Sequence, residues 1–389
     1  MQSKKYINWT NTLFLILTPL VGIIGTLLLC LFSQVALATW IFAGIFTFIT
    51  GMGITAGYHR LLSHKTYQCH GVVRLFLLLF SSACFEGSAL EWSTDHRNHH
   101  RYVDTDKDPY SIHKGFWFAH IGWLIRLEPK KRDFSNVADL MRDPLVRFQH
   151  RFFVPLAILM GFIFPLALGA LWGDALGGLL IAGALRIVFN HHVTFAINSI
   201  CHTFGKRTYC LKQTAVDNWF TALFTYGEGY HSYHHKFPID YRNGIKTFHY
   251  DPTKWLIRLL AWMGLAYNLK KISQHRILKQ QVMVKELQLQ EKIAARLLQN
   301  KPQEQWLQLT ETLRHGMQQV LQKIEQLEIH YLHLYRKRKD PSSPQDKPCR
   351  SQLKACRKHI KQSYMELKAY LSLWRQLQRQ FHRCAFQPV

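Results

Sequence analysis

No lysine, arginine, aspartate or glutamate occurs between Tyr6 and Tyr58. An uncharged stretch of that length exceeds any ordinary buried helix, and at about 20 residues per bilayer crossing it holds two spans joined by a turn. Acidic residues are scarce throughout: 24 Asp plus Glu face 49 Lys plus Arg, a formal balance of +25 with histidine neutral. The eight cysteines contain no CxxC pair. Their irregular spacing fits a reducing compartment, with Cys30 and Cys84 lying in apolar runs as small hydrophobes. Apolar material is plentiful, 48% hydrophobic and 13% aromatic, which excludes a disordered chain.

Lys4 and Lys5 precede a first apolar run that is longer than a signal-peptide core and is followed directly by a second run. Both are therefore expected to remain as spans, at about 11–32 and 36–57, rather than to be cleaved. Leu75–Cys84, bounded by Arg74 and Glu86, is too short to cross and suits a re-entrant or interfacial helix. A second hairpin is expected at about 152–172 and 176–200, apolar apart from Arg186, Asn190, His191, His192 and Asn198. Four spans put both termini and the long connections on one side. That side carries Lys65, Arg97, Arg101, Lys130, Lys131, Arg132, Lys206, Arg207, Lys236 and a basic tail, so the positive-inside tendency makes it cytoplasmic. The expected architecture is an all-α integral membrane domain over 1–269, with four transmembrane helices under a cytosolic helical cap, followed by a basic helical extension over 270–389.

Histidine carries the chemistry. Three clusters stand out: His59 with His64, His96 with His99 and His100, and His231 with His234 and His235. In the last two, positions i, i+3 and i+4 share one helical face, so three imidazoles converge. In the first, i and i+5 are about 140° apart on a regular helix, so the helix is expected to end or loosen there. Surface histidines cluster by chance in a basic protein, but two HxxHH copies plus an HxxxxH on one side argue for ligands. Eight imidazoles are too many for one tetrahedral zinc and suit two metals with open positions. Imidazole alone leaves iron, copper and zinc open. On the fourth span Asn198 and His202 lie one turn apart. Polar groups at that depth face a functional interior or hydrogen-bond between helices, so His202 is a candidate ninth ligand and Asn198 a candidate outer holder of a metal-bound water.

These segments have a familiar order. GITAGYHRLLSH ending at His64, EWSTDHRNHHRYVDTDKDPYS from Glu91 to Ser111, HIGW from His120 to Trp123, NSICH ending at His202 and GEGYHSYHHKFPIDYRNG from Gly227 to Gly244 together resemble the membrane acyl-CoA delta-9 (stearoyl-CoA) desaturase family. The resemblance runs from about Thr10 to Asp251. It implies two iron ions ligated by His59, His64, His96, His99, His100, His202, His231, His234 and His235, with Asn198 near a bound water and no catalytic side chain beyond the metal centre. It implies O2-dependent removal of two hydrogens from a fatty acyl chain, because an unactivated methylene pair needs an oxidant no side chain supplies. A tunnel fixing which bond meets the irons would set the double-bond position by orientation.

An acyl-CoA substrate brings phosphates, for which Arg97, Arg101, Lys130, Lys131 and Arg132 are available; Lys130-Lys131-Arg132 suits anionic headgroups equally. Trp92 and Trp123 are candidates to line the acyl tunnel, and Trp117 and Trp219 belong either there or to an interfacial belt. Asp95, Asp104, Asp106 and Asp108 surround the second cluster and are candidates to orient ligand rings. His113, His120 and His249 fall outside the ligand spacing and are expected to be structural or to support the ligands from behind. Thr47 and its neighbours on the second span are candidates for the closed end of the tunnel.

From Lys270 onwards 24 Lys plus Arg stand against 9 Asp plus Glu, so +15 of the +25 resides in the tail. A near-heptad stripe from Leu309 to Leu334, a loop at Lys337–Pro348 and a second stripe from Leu353 to Phe381 predict an antiparallel helical hairpin of coiled-coil type. Self-association, contact with the membrane and recruitment of an electron donor compete as its role, and the first two are favoured. Charge alone would suit nucleic acid, but a tethered membrane enzyme does not, and no nucleic-acid partner is expected. No haem-binding electron carrier is recognisable in the chain, so an external donor is implied, a small haem protein or a ferredoxin-type iron–sulfur protein. The competing readings are a histidine-cluster membrane hydroxylase of a lipid or hydrocarbon, and a non-enzymatic membrane scaffold working through its basic tail.

Overall fold

The computed structural model describes residues 6–127, 132–297, 304–339 and 350–383. Four helices are long and apolar enough to cross a membrane: α1 (Trp9–Phe32), α2 (Leu37–Ser63), then, after α3 (Gly71–Ser82) and α4 (Ala89–Tyr102), α5 (Phe153–Ala170) and α6 (Ala175–His202). The remaining elements of the first unit, residues 1–271, include α7 (His231–Lys236) and α8 (Pro252–Trp262). Strands are confined to two short antiparallel ladders, Tyr6–Ile7 with Arg126–Leu127 and Gln68–Cys69 with Ala266–Tyr267.

Helix length positions the site. A hydrocarbon core of about 30 Å takes roughly 20 residues at 1.5 Å each, whereas α2 has 27 residues and α6 has 28. The surplus turns carry His59 on α2 and Asn198 and His202 on α6, so the polar side chains need not sit in hydrocarbon. The short α5, with 18 residues, carries no histidine. At the opposite ends Asp174 ties the two hairpins together: its carboxylate accepts from the Ala36 N–H (3.1 Å), the Thr39 hydroxyl (2.5 Å) and the Gly177 N–H (2.9 Å).

The helix that holds the first histidine pair does not end where regular geometry would separate them. Over Gly53–Ser63 α2 widens into a π-helix, and the His64 N–H donates to the His59 carbonyl at 3.1 Å. An i→i+5 bond puts those two residues one turn apart rather than on divergent faces. α3 packs on this widened segment. α4 begins with a capping box, the Ser88 hydroxyl and Glu91 carboxylate each capping the other's backbone, which fixes the helix that presents His96, His99 and His100.

The second unit, residues 272–389, contains α9 (Gln274–Leu297), α10 (Glu304–Lys339) and α11 (Arg350–Arg383). The helical pair expected from the two apolar stripes is α10 and α11, while the loop residues 340–349 lie outside those described. The structure adds a third partner. Val282 and Leu289 of α9 share one core with Leu313, Met317 and Ile324 of α10 and with Leu367, Leu371 and Trp374 of α11. The hairpin is therefore part of a three-helix bundle, because two stripes alone leave an apolar side uncovered.

Close backbone packing in the membrane unit is testable at Gly22, where a Cβ would lie 2.9 Å from the Leu185 nitrogen and 3.0 Å from the Ala184 carbonyl carbon. Backbone cannot yield as a side chain does, so Gly22→Leu is expected to lower stability by about 1–3 kcal/mol, seen as a lower denaturation temperature in detergent. Gly44→Ala, with nothing within 4 Å of the added carbon, is expected to leave that temperature unchanged.

Candidate metal centre

Nine imidazoles from four segments of chain converge on two points. His59, His64, His96, His100 and His234 form one group and His99, His202, His231 and His235 the other; within each, the potential ligand atoms all lie within 4.8 Å of one another. The Nε2 atoms of His59 and His234 are 3.0 Å apart, those of His64 and His96 2.7 Å, and those of His100 and His234 2.9 Å. In the second group His231 Nε2 is 3.0 Å from both His202 Nε2 and His235 Nε2, and His99 Nε2 is 3.2 Å from His235 Nε2.

Hydrogen bonds between rings cannot account for this. His59 Nδ1 lies 3.0 Å from a Glu228 oxygen and His99 Nδ1 2.9 Å from an Asp108 oxygen. A carboxylate only accepts, so each ring carries its proton on Nδ1 and turns a lone pair inward on Nε2. His202 Nδ1 meets the Thr214 hydroxyl at 2.7 Å, and that hydroxyl donates to Asp104 at 2.5 Å, which forces the same tautomer. His96 Nδ1 lies 3.4 Å from the Tyr110 hydroxyl. Burial, and after it the neighbouring imidazoles, hold the His64, His96, His100, His231, His234 and His235 rings well below the usual histidine range, so protons do not fill the gaps. Converging lone pairs repel unless a cation lies among them. Ligand nitrogens at about 2.1 Å from one ion sit about 3 Å apart along an octahedral edge, which matches the spacings found. The donor set therefore fits two metal ions of the kind that imidazole binds.

The groups behind the ligands were only partly foreseen. Asp108 and Asp104 act on His99 and, through Thr214, on His202. Asp95 instead pairs with Arg132 at 2.8 Å. Glu228 carries no signal in the histidine spacing, although it stands three residues before His231. Burial pushes its carboxyl up, but Arg60 and His59 outweigh this and bring it below its ordinary value. Arg60, fully buried, donates to Glu228 (2.9 Å) and the Tyr241 carbonyl (2.8 Å) and pairs with Asp251 (3.0 Å). The chain reaches that position through Gly227 at φ +97°, where a Cβ would meet Asp251 at 2.7 Å; an L side chain fits neither the angle nor the space.

Beside the rings opens a cavity of about 1730 Å³, lined by His59, His96, His99 and His231, by Trp92, Trp123 and Asn198, and by apolar groups including Phe14, Phe85, Ile158 and Phe162. Asn198 is half-buried and its side chain has no hydrogen bond among the described residues. The exposed Arg101, Lys107, Lys114, Arg126 and Arg132 stand on the cavity's rim. Arg97 does not join them: its guanidinium is taken up by Asp139 (2.7 Å) and by the carbonyls of Leu62, Ser63 and Asn136. Lys130 and Lys131 lie outside the described residues. Trp117 and Trp219 are exposed rather than lining the cavity. Thr47 is not on its wall, where Gly51 and Tyr226 stand instead. His120 bonds Ser199 (2.9 Å) and His192 (3.1 Å), His113 is exposed, and His249 stacks on Tyr230; none joins either group. Glu86, not singled out by the sequence, also lines the cavity. Its two oxygens accept from Trp92 Nε1 (3.2 Å) and the Thr194 hydroxyl (2.9 Å), and burial pushes its carboxyl up to about 7.

The chain is similar to known proteins. Residues 6–271 match the fatty acid desaturase family. The chain is 47% identical over 277 residues to a protein of Schizosaccharomyces pombe described as a probable acyl-CoA desaturase, covering 71% of this chain and 57% of that one. It is 42% identical to acyl-CoA desaturase 1 of Saccharomyces cerevisiae, covering 70% and 54%, and 35% identical to human stearoyl-CoA desaturase 5, covering 70% and 84%. The chain thus spans little more than half the length of the two yeast relatives.

Arg60 is the cation that two buried carboxylates depend on. Arg60→Ala is expected to destabilise the membrane unit by about 3–5 kcal/mol, read as aggregation in detergent size-exclusion chromatography at temperatures the native chain survives; an unchanged elution profile and melting temperature would contradict the arrangement.

Proposed function

Since the chain belongs to the fatty acid desaturase family, we propose that it desaturates a fatty acyl chain carried on coenzyme A, at the delta-9 position, using O2 and two electrons from an external carrier. The observation that supports this most is the convergence of imidazole lone pairs on two adjacent points beside a long, partly apolar cavity. Two iron ions are the proposed occupants, one held by His59, His64, His96, His100 and His234 and the other by His99, His202, His231 and His235, with Asn198 placed to hold a water. Iron there would supply the oxidant for an overall balance in which CH2–CH2, O2, two electrons and two protons give CH=CH and two waters.

The chain's own residues provide the geometry. Glu228, Asp108 and Thr214 keep the ring protons on the outer nitrogens, so the inner ones stay available. The apolar wall excludes water from the acyl chain, and the Trp92–Glu86–Thr194 group interrupts that wall at one level. Arg101, Lys107, Lys114 and Arg126 offer cations to the phosphates of the carrier at the exposed rim. The termini and the site are proposed to face the cytoplasm, where the cationic connections favour orientation and where a small haem protein or ferredoxin-type donor can reach them.

Expression in a host that cannot make unsaturated fatty acids, with mapping of double bonds in the recovered lipid, tests the reading. An olefin at carbon 9 is expected with about two metal ions per purified chain. A hydroxylated product would replace it with the hydroxylase reading, and absence of metal would leave only the scaffold. His96→Ala and His235→Ala, one from each group, are each expected to abolish product and to lower the metal content.

Glu86 gives a pH dependence. Its raised pKa, about 7, means the folded chain favours the protonated carboxyl, so a charge appears in the cavity as pH rises through 7 and is absent below it. The KM for the acyl substrate is therefore expected to rise roughly five- to tenfold from pH 6.5 to 8, and Glu86→Gln to flatten that rise; an equally steep profile in the variant would remove Glu86 from the explanation.

A further inference from the structure

The second unit lies outside the matched family region and holds 22 Lys plus Arg against 9 Asp plus Glu, +13 of the net +25, and on α11 that charge is ordered. The helix holds nine Lys plus Arg and one carboxylate. At about 100° per residue, Arg350, Lys354, Lys361, Lys368, Arg375 and Arg379 fall within an arc of about 60°, and all six are exposed. The row is about 44 Å long at 1.5 Å per residue. The helix buries its other side, with Leu367, Leu371 and Trp374, in the bundle. Its carboxylate, Glu366, is off the row and pairs with Lys323 of α10 at 3.4 Å. Glu286, Glu325 and Glu328 are likewise taken up by Arg314, Lys279 and His275, so among the described residues no carboxylate pairs with the row.

Like charges repeated at four- and seven-residue steps repel along the helix. A row so long and straight is offset best by a flat field of negative charge. We infer that this face of α11 docks on the anionic phospholipid headgroups of the bilayer in which the first unit is embedded. The chain brings it there. α8 exposes Trp255, Leu259, Trp262 and Met263 along one side, Trp262 at 84%, an apolar and aromatic stripe suited to the membrane interface. Beyond it the backbone stays fixed to the membrane unit as far as Lys270, whose N–H donates to the Thr66 carbonyl (2.8 Å) and whose carbonyl accepts from the Tyr241 N–H (3.0 Å). The bundle begins two residues later, so the membrane surface is present at a high effective concentration. Met365, 64% exposed at the edge of the row, adds an apolar side chain that a headgroup layer accommodates and a nucleic acid does not need.

The proposal rests on the chain being a membrane protein and not on its chemistry, so product formation and docking are read separately. The full chain is reconstituted in nanodiscs of phosphatidylcholine, alone or with a third of the lipid replaced by phosphatidylserine, and lysine acylation by a water-soluble ester is followed by mass spectrometry. Lys354, Lys361 and Lys368 are expected to react about fivefold or more slowly in the anionic discs, the difference vanishing in about 1 M salt, while Lys323 serves as the internal reference. Equal rates in both lipids would overturn the inference. So would protection already complete in neutral discs, which points to a second copy of the chain, or protection that needs added RNA or DNA. The comparison uses the unaltered protein; Lys354→Glu with Lys361→Glu and Lys368→Glu is expected to abolish the lipid-dependent difference in hydrogen exchange of α11.

Discussion

The mutual repulsion of imidazole lone pairs is the constraint from which the rest of the membrane unit follows. Nine rings aimed at two points are tolerable only around cations, and three of them are kept aimed by committing the outer nitrogen elsewhere. Glu228, Asp108 and the Thr214–Asp104 pair do this for three of them. Each partner needs its own support in turn, since a buried carboxylate without a counter-charge is costly. Arg60 provides it for Glu228 and Asp251 together. The site thus has three layers, rings, acceptors and a guanidinium, and the innermost depends on the outermost.

Membrane thickness imposes the second condition. Ligands on a helix that stops at the hydrocarbon boundary would be buried in lipid, so the two helices that carry them overrun it. One overruns as a regular α-helix over Arg186–Ser199 that tightens into a 3-10 turn at Ile200–His202, and the other widens by about a residue per turn, which alone brings His59 and His64 to the same side. Widening is tolerated because the segment is packed on both α3 and α4. The cavity opens beside the rings, and the helices that place the ligands also line it.

Much of this was legible in the sequence, for definite reasons. Absence of charge over fifty residues has few physical explanations, and HxxHH places three rings on one face whatever the surroundings. Family resemblance then supplied the list of nine ligands, and the structure their division into two groups. What stayed hidden depends on distance along the chain. Nothing local marks Glu228 as the partner of His59, and nothing distinguishes Arg97, which clamps Asp139, from Arg101, which remains on the rim. The π-helix was visible only as a misfit between two histidines and a regular helix. The third helix of the tail was overlooked because the apolar positions of α9 are spread around the helix instead of forming one stripe, as they do on α10 and α11.

The Arg60–Glu228 pair spans 168 residues of chain, and this bears on how the protein is made. At about 5–20 residues per second of synthesis, Arg60 waits on the order of ten to thirty seconds before its partner exists. During that interval α1 and α2 already stand in the bilayer, with a guanidinium and two histidines unmatched at the surface. The nascent chain therefore passes through an open, polar-ended hairpin that is a natural substrate for chaperones or proteases. Closure over the metal sites belongs to the last stage of biogenesis, after Asp251 has emerged.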